Sequence, residues 1–214
     1  MPLLVAWTFL TALPFPLRRM PQPAEQGAAV AWYPAVGYAL GGILTFADWG
    51  LRHTALSAFA AAALLAAILA LLTGFLHLDG VIDTCDAVFA HRSRVERLAI
   101  ARDPRAGAFG VVGVVLLLLL KTSLLAGPLG NHRTAALVCF PALARCGMTA
   151  AIILLPSARG AEGLGGGVKA YARPWTLGVA VAIALIPTII LLQWQALALV
   201  GGAMIGGACV ASLA

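Results

Sequence analysis

The sequence predicts an all-α fold: a polytopic integral membrane helical bundle of about six spanning or re-entrant helices. Three observations carry this. First, the 214-residue chain is 62% hydrophobic and only 10% charged, with a mean hydropathy of +0.97, whereas a soluble domain carries about 25% charge. Second, apolar runs of roughly 20 residues, the length that crosses a bilayer core as a helix, recur along the chain. Third, its charge is gathered in one place. Of its 8 Asp and Glu, Asp79, Asp83, Asp86, Glu96 and Asp103 lie between His77 and Gly110, together with Arg92, Arg94, Arg97, Arg102 and Arg105.

Taken in order, Met1 to Leu13 is apolar but too short to span, and Pro14, Pro16, Arg18 and Arg19 follow it. A secretory leader has its charge before the apolar run, so this segment reads as interfacial or re-entrant. Residues 20–29 read as a polar, Pro-containing link. Residues 30–50 are the first expected span, opened by Trp32 and Tyr33 at headgroup level. Gly37, Gly41 and Gly42 lie on nearly one face of it, which permits close helix packing. Arg52 and His53 make a turn, and 54–76 is the second span. The charged segment 77–106 precedes a third span at 107–127, with Lys121 near its end. The fourth span, 133–156, contains Pro141 and Arg145. A Gly-rich polar loop at 157–173 leads to the last two spans, 174–192 and 195–213.

Basic residues orient the bundle. With the N-terminus inside, the cytosolic loops hold Arg18, Arg19, the five arginines of the central segment, Arg159, Lys169 and Arg173. The outer loops hold only Arg52, Lys121 and Arg133. This places the acidic segment and the Gly-rich loop on the cytosolic face of a multi-pass protein of the cell inner membrane, with the active site facing the cytoplasm. The lipid bilayer is the one partner the composition itself demands.

Asp79, Asp83 and Asp86 are spaced i, i+4, i+7 and fall within roughly 60° on a helix. Three like charges in register repel one another, and a hard divalent cation would offset that. Mg²⁺ takes oxygen ligands, keeps waters and bridges to phosphates. We therefore expect Asp79, Asp83 and Asp86 to be catalytic metal ligands and Mg²⁺ to be the cofactor. Gly80 leaves room for a phosphate or a second helix beside the first carboxylate. Glu96 and Arg92 are spaced to pair on an exposed helix. Pro104 takes Asp103 out of helical geometry, and Gly107 and Gly110 open the next span. Asp103 is expected to act as a fourth ligand or as the base, with capping of that span as its bland alternative. Arg102 and Arg105 flank it as an anion site. Arg145, ionisable within a span, is expected to meet a phosphate or a structural ion partner. Arg159, Glu162, Gly163 and Gly165 belong to a loop able to wrap a substrate or simply to connect two spans.

At these residues the chain resembles the cobalamin synthase family, the adenosylcobinamide-GDP ribazoletransferases. The matching elements are Thr11 to Pro16, the HLDGVIDTCD run from His77 to Asp86, Arg102 to Gly110 with Pro104 where Ser is usual, and Arg159 to Gly165. One membrane-embedded transferase domain over 1–214 is expected from the length, without the acidic C-terminal segment into which family members usually continue. The resemblance implies Mg²⁺-dependent transfer of the adenosylcobinamide-phosphoryl group from adenosylcobinamide-GDP to α-ribazole or its 5′-phosphate, with release of GMP, in cobalamin biosynthesis. It also implies substrate-binding roles for His77, Gly80, Arg102, Arg105, Gly107, Arg145, Arg159, Glu162, Gly163 and Gly165, although His77 falls on the opposite side of the helix from the aspartates and by spacing alone reads as a satisfied or solvated histidine rather than a metal ligand. A homo-oligomer, or association with other cobalamin-assembly enzymes, is a further expectation.

Other classes fit less well. No CxxC or His/Cys cluster supports zinc or redox chemistry among Cys85, Cys139, Cys146 and Cys209, which read as packing residues. No basic face with aromatic platforms suits nucleic acid. No phosphate-binding GxxxxGK[ST] loop or serine elbow is present. The more distantly similar CDP-alcohol phosphotransferases place Ala and Arg where this chain has Asp83 and Thr84. A cation transporter would need these acids within the bilayer beside broken helices.

Overall fold

The computed structural model describes residues 1–17, 19–128, 130–157 and 163–193. Among these residues all regular structure is helical: α1 Pro2–Leu10, α2 Pro23–Ala29, α3 Tyr33–Leu51 (joined to α2 by a 3₁₀ turn, Val30–Trp32), α4 Ala58–Leu72, α5 Leu76–Phe89, α6 Arg94–Ile100, α7 Ala108–Ala126, α8 Arg133–Leu154, α9 Gly163–Tyr171 and α10 Pro174–Leu192. Four helical stretches are long and apolar enough to cross a membrane: 23–51, α7, α8 and α10. A fifth arises if α4 and α5 are counted as one broken span. The protein is therefore a multi-pass membrane protein. The expected span at 195–213 lies outside the described residues.

Among the described residues the chain packs as two compact units, one within residues 1–46 and 130–193 and the other within residues 47–128. In the first unit α3 meets α8 across glycines. A side chain on Gly37 would overlap the backbone of Pro141 and Ala142, and one on Gly41 would overlap Val138, whose Cα would lie 2.7 Å away. Gly42, the third glycine of the expected stripe, faces open space. The Tyr38 hydroxyl ties α3 to α10, donating to the Ala184 carbonyl at 2.6 Å with Thr188 Oγ1 at 2.9 Å. Thr149, fully buried on α8, donates to the Val30 carbonyl at 2.9 Å.

Two stretches read as irregular are partly helical. In 20–29 the chain forms α2, entered through Pro23. The Gln22 N–H donates to Glu25 Oε2 at 2.9 Å, and Arg19 grips the same carboxylate with both nitrogens at 2.9 and 2.8 Å. Pro at the first helical position and Glu at the third are start signals that the prolines of that stretch obscured. In the Gly-rich loop, Gly163–Tyr171 is α9 despite its glycines. Its Lys169 ammonium donates to the carbonyls of Ile152, Ile153 and Leu155 at 2.6, 3.3 and 2.7 Å. These are orphan carbonyls at the end of α8, where a cation also meets the negative pole of the helix.

In the second unit, the expected span 54–76 is corrected to a helix ending at Leu72, followed by a 94° bend into α5. Gly74 sits at φ 57 beyond the helix end. The Phe75 N–H reaches back to the Ala70 carbonyl at 2.9 Å and the Gly74 N–H to Leu71 at 3.0 Å. This double reach-back around a left-handed glycine is a helix terminator. Phe75 is itself left-handed at φ 60, a conformation costing a non-glycine residue about 1–3 kcal/mol. Near the end of α3, buried Asp48 is paired with Arg52 at 2.8 Å. α7 carries Val111, Val112, Leu116, Leu120 and Leu124 exposed, as a hydrocarbon-facing helix requires.

The α3–α8 contact yields a paired prediction. Gly41→Val forces a branched side chain into the Val138 backbone and is expected to lower stability by about 1–3 kcal/mol. Gly42→Ala, facing open space, is expected to leave it unchanged. Thermal unfolding of both variants in detergent checks this.

Candidate active site

The polar segment lies wholly within the second unit, on α5, α6 and the turn into α7. The HLDG run begins α5 immediately after the strained corner. The three aspartates share one face of this helix but not one environment. Asp79 in the first turn is exposed, where a carboxylate also suits the positive helix pole. Asp83 is half-buried, and Asp86 is 8% exposed. His77 is half-buried in the first turn, and Gly80 has open space where a side chain would be.

Asp86 makes the best-defined contact of the segment. One of its oxygens accepts from the Gly107 N–H at 2.7 Å and the other from the Gly110 N–H at 2.9 Å. These are orphan donors at the start of α7, so a carboxylate on one helix caps another helix 21 to 24 residues further along the chain. Hydrogen bonds to a charged group contribute about 1.5–3 kcal/mol each. Glycine makes the approach feasible: side chains on Gly107 or Gly110 would collide with the Asp86 carboxylate, and one on Gly113 with Cys85. α5 and α7 therefore touch along a stripe spaced i, i+3, i+6.

The cap changes what Asp86 can do. Among the described residues, no three His, Cys, Asp or Glu side chains are gathered closely enough to hold a metal. Each Asp86 oxygen accepts one backbone N–H from the start of α7. Asp79 and Asp83 stand one turn apart on α5, and Mg²⁺ is commonly held by one or two carboxylates plus substrate phosphates. Asp79 and Asp83 are spaced to fit such a cation, and the expected third ligand, Asp86, also closes the start of α7. Gly110 and Gly113 were missed as partners of α5, although their spacing with Gly107 was in plain view.

Between α6 and α7 the chain is tightly turned. His91, left-handed at φ 51, follows the end of α5. Ser93 then caps α6, and Glu96 reaches back to its N–H at 3.0 Å and hydroxyl at 2.7 Å. These bonds hold the Glu96 carboxyl below its ordinary range. The expected Glu96–Arg92 helical pair does not arise, because Arg92 precedes the helix. The Arg102 and Asp103 N–H groups donate to Ala99 and Ile100, both at 3.0 Å. Asp103 accepts from the Arg105 N–H at 3.0 Å, from Nε at 2.9 Å and from a terminal guanidinium nitrogen at 2.7 Å. Arg105, by its side-chain hydrogen bonds and then its backbone N–H, pulls the Asp103 carboxyl from 3.8 down to about 2 and is itself raised. Asp103 therefore orients Arg105, and Asp86 supplies the α7 cap. Arg102 and Arg105 are exposed.

The remaining expected residues belong to other parts of the chain. Arg145 is 3% exposed on α8 in the first unit, and Gly163 and Gly165 lie in α9. Arg159 and Glu162 lie outside the described residues.

Apolar spans flanking a folded ionic segment define a multi-pass helical membrane protein with a carboxylate and arginine centre. The chain matches the cobalamin-5-phosphate synthase family over residues 2–214 and belongs to it. An adenosylcobinamide-GDP ribazoletransferase of Pseudomonas paraeruginosa is 43% identical over 188 residues, covering 86% of this chain and 76% of its own length. One from Stutzerimonas stutzeri is 40% identical over 207 residues, covering 96% and 78%. One from a Thermoanaerobacter species is 30% identical over 195 residues, covering 86% and 76%. No solved structure matches.

The Asp103–Arg105 pair sets a pH dependence. The folded carboxyl lies below its ordinary value, so the pair is fully formed above about pH 4 and is lost as pH falls toward about 2. A ¹³C-carboxyl titration should place the Asp103 midpoint near 2 in the parent. In Arg105→Gln the midpoint should return toward 3.8.

Proposed function

We propose that the centre on α5 and the α6–α7 turn carries out an Mg²⁺-dependent phosphoryl-group transfer that completes the nucleotide loop of cobalamin. Membership of the family makes the chain a transferase of cobalamin biosynthesis. The adenosylcobinamide-phosphoryl group passes from adenosylcobinamide-GDP to a ribose hydroxyl of α-ribazole or α-ribazole 5′-phosphate. The hydroxyl oxygen forms a new bond to the phosphorus next to cobinamide, and the bond from that phosphorus to the bridging oxygen breaks. GMP leaves with that electron pair, and the hydroxyl gives up its proton. The products are adenosylcobalamin, or its 5′-phosphate, and GMP.

The observation that supports this assignment is the graded acidic face of α5 together with a turn that offers guanidinium groups. Asp79 and Asp83 would hold Mg²⁺, which when bound neutralises charge on the diphosphate and on departing GMP. Arg105, oriented by Asp103, and Arg102 bind the phosphate oxygens. A carboxyl near pKa 2 is a weak base at neutral pH, so we assign Asp103 to orientation, and the proton leaves to water. Gly80 keeps the side of α5 next to Asp79 clear for the diphosphate. The excess of arginines in this segment supports a location on the cytoplasmic side of the inner membrane.

The test is protein reconstituted in lipid and given adenosylcobinamide-GDP, α-ribazole and Mg²⁺. The parent should release GMP and form the joined product. Asp79→Asn and Asp83→Asn should each lower that rate at least about 100-fold, with folding intact. Arg105→Gln should raise KM for the diphosphate substrate more than it lowers kcat. Asp83→Asn turning over like an active parent would refute the assignment, and cation uptake without GMP release would favour a transporter.

A further inference from the structure

We infer that Asp86 is a positioning residue: it does not bind the metal but anchors the arginine turn to the helix that carries the other two aspartates. The inference rests on the reading above and alters the role of one member of the acidic set.

Spacing places Asp86 with Asp79 and Asp83, but its surroundings set it apart. It is the buried member, and each of its oxygens already accepts one backbone N–H. Both oxygens are directed at the start of α7, whose open end they close. The packing is also built around the carboxylate. Gly107 and Gly110 lack the side chains that would displace it, and Ile82, one turn earlier on α5, meets Gly110 as well.

What the anchor fixes is the segment between α6 and α7. At its start, Ser93 and Glu96 cap α6, and the turn 99–103 is hydrogen-bonded. In its middle, Asp103 holds Arg105. At its end, Gly107, only two residues after Arg105, is held by Asp86. A turn pinned at both ends presents its guanidinium groups in one geometry, as preorganised phosphate contacts require. Cutting the final pin should leave the ligands in place and the arginines misplaced.

The first measurement needs no variant. Amide hydrogen exchange of the parent in nanodiscs, with and without Mg²⁺, should find Gly107 and Gly110 protected in both conditions. If these amides exchange freely without the cation and gain protection when it is added, the inference fails.

In Asp86→Asn the amide can accept from one N–H but opposes the other with its own donor. Exchange at these amides should quicken by at least about tenfold, and turnover should fall by a similar factor. The affinity for Mn²⁺, read by electron paramagnetic resonance, and the Mg²⁺ concentration for half-maximal rate should stay within about twofold of the parent. A tenfold loss of Mn²⁺ affinity would make Asp86 a ligand. Quickened exchange with unchanged turnover would make the cap merely structural. If the parent releases no GMP, the reaction assignment fails, and the exchange results still decide the anchor.

Discussion

The ionic half of this protein depends on one buried carboxylate that bridges two helices. Asp86 reaches from α5 to the first amides of α7, with both oxygens engaged. Stripping water from a carboxylate is costly unless it gains hydrogen bonds and an opposing field. Here the helix pole and two N–H donors supply both, and glycine supplies the room. The bridge therefore belongs with the packing of α5 on α7 as much as with any chemistry, and it binds an apolar membrane helix to the polar segment before it.

The rest of the segment follows the same logic of using charge locally. Glu96 closes the start of α6, and Asp103 holds Arg105. At its other end α5 begins from a left-handed Gly74–Phe75 corner that halts an apolar helix and turns the chain by 94°. That corner brings a polar helix out of an apolar one over three residues and leaves Asp79 exposed within the first turn. In the proposed reaction, Asp79 and Asp83 hold the cation while Asp86 holds the start of α7, and burial separates these three superficially equivalent aspartates.

Much of this was legible in the residues. Apolar run lengths located α7, α8 and α10 closely, because hydrophobic length alone sets a span. The motif from His77 to Gly110 located the ionic centre, because a chain this apolar concentrates charge at one place. Three features were hidden. The second span is shorter than its apolar run, since backbone conformation at Gly74 and Phe75, not polarity, ended the helix. α9 forms through a run of glycines, since Lys169 and packing against α2 outweigh poor helix propensity; a side chain on Gly27 would strike the Tyr171 carbonyl. The division among the aspartates was invisible, since helical spacing gives a residue's face but not what a distant segment brings to it. Gly107, Gly110 and Gly113 carried that information, but only once α7 was known to lie against α5.

The most direct check is an experimental density map of the lipid-embedded enzyme with Mg²⁺ and an unreactive diphosphate analogue bound. The account predicts Asp86 oxygens still about 2.7 and 2.9 Å from the Gly107 and Gly110 nitrogens, with the cation beside Asp79 and Asp83. Cation density against Asp86, with those two amides turned away, would contradict it.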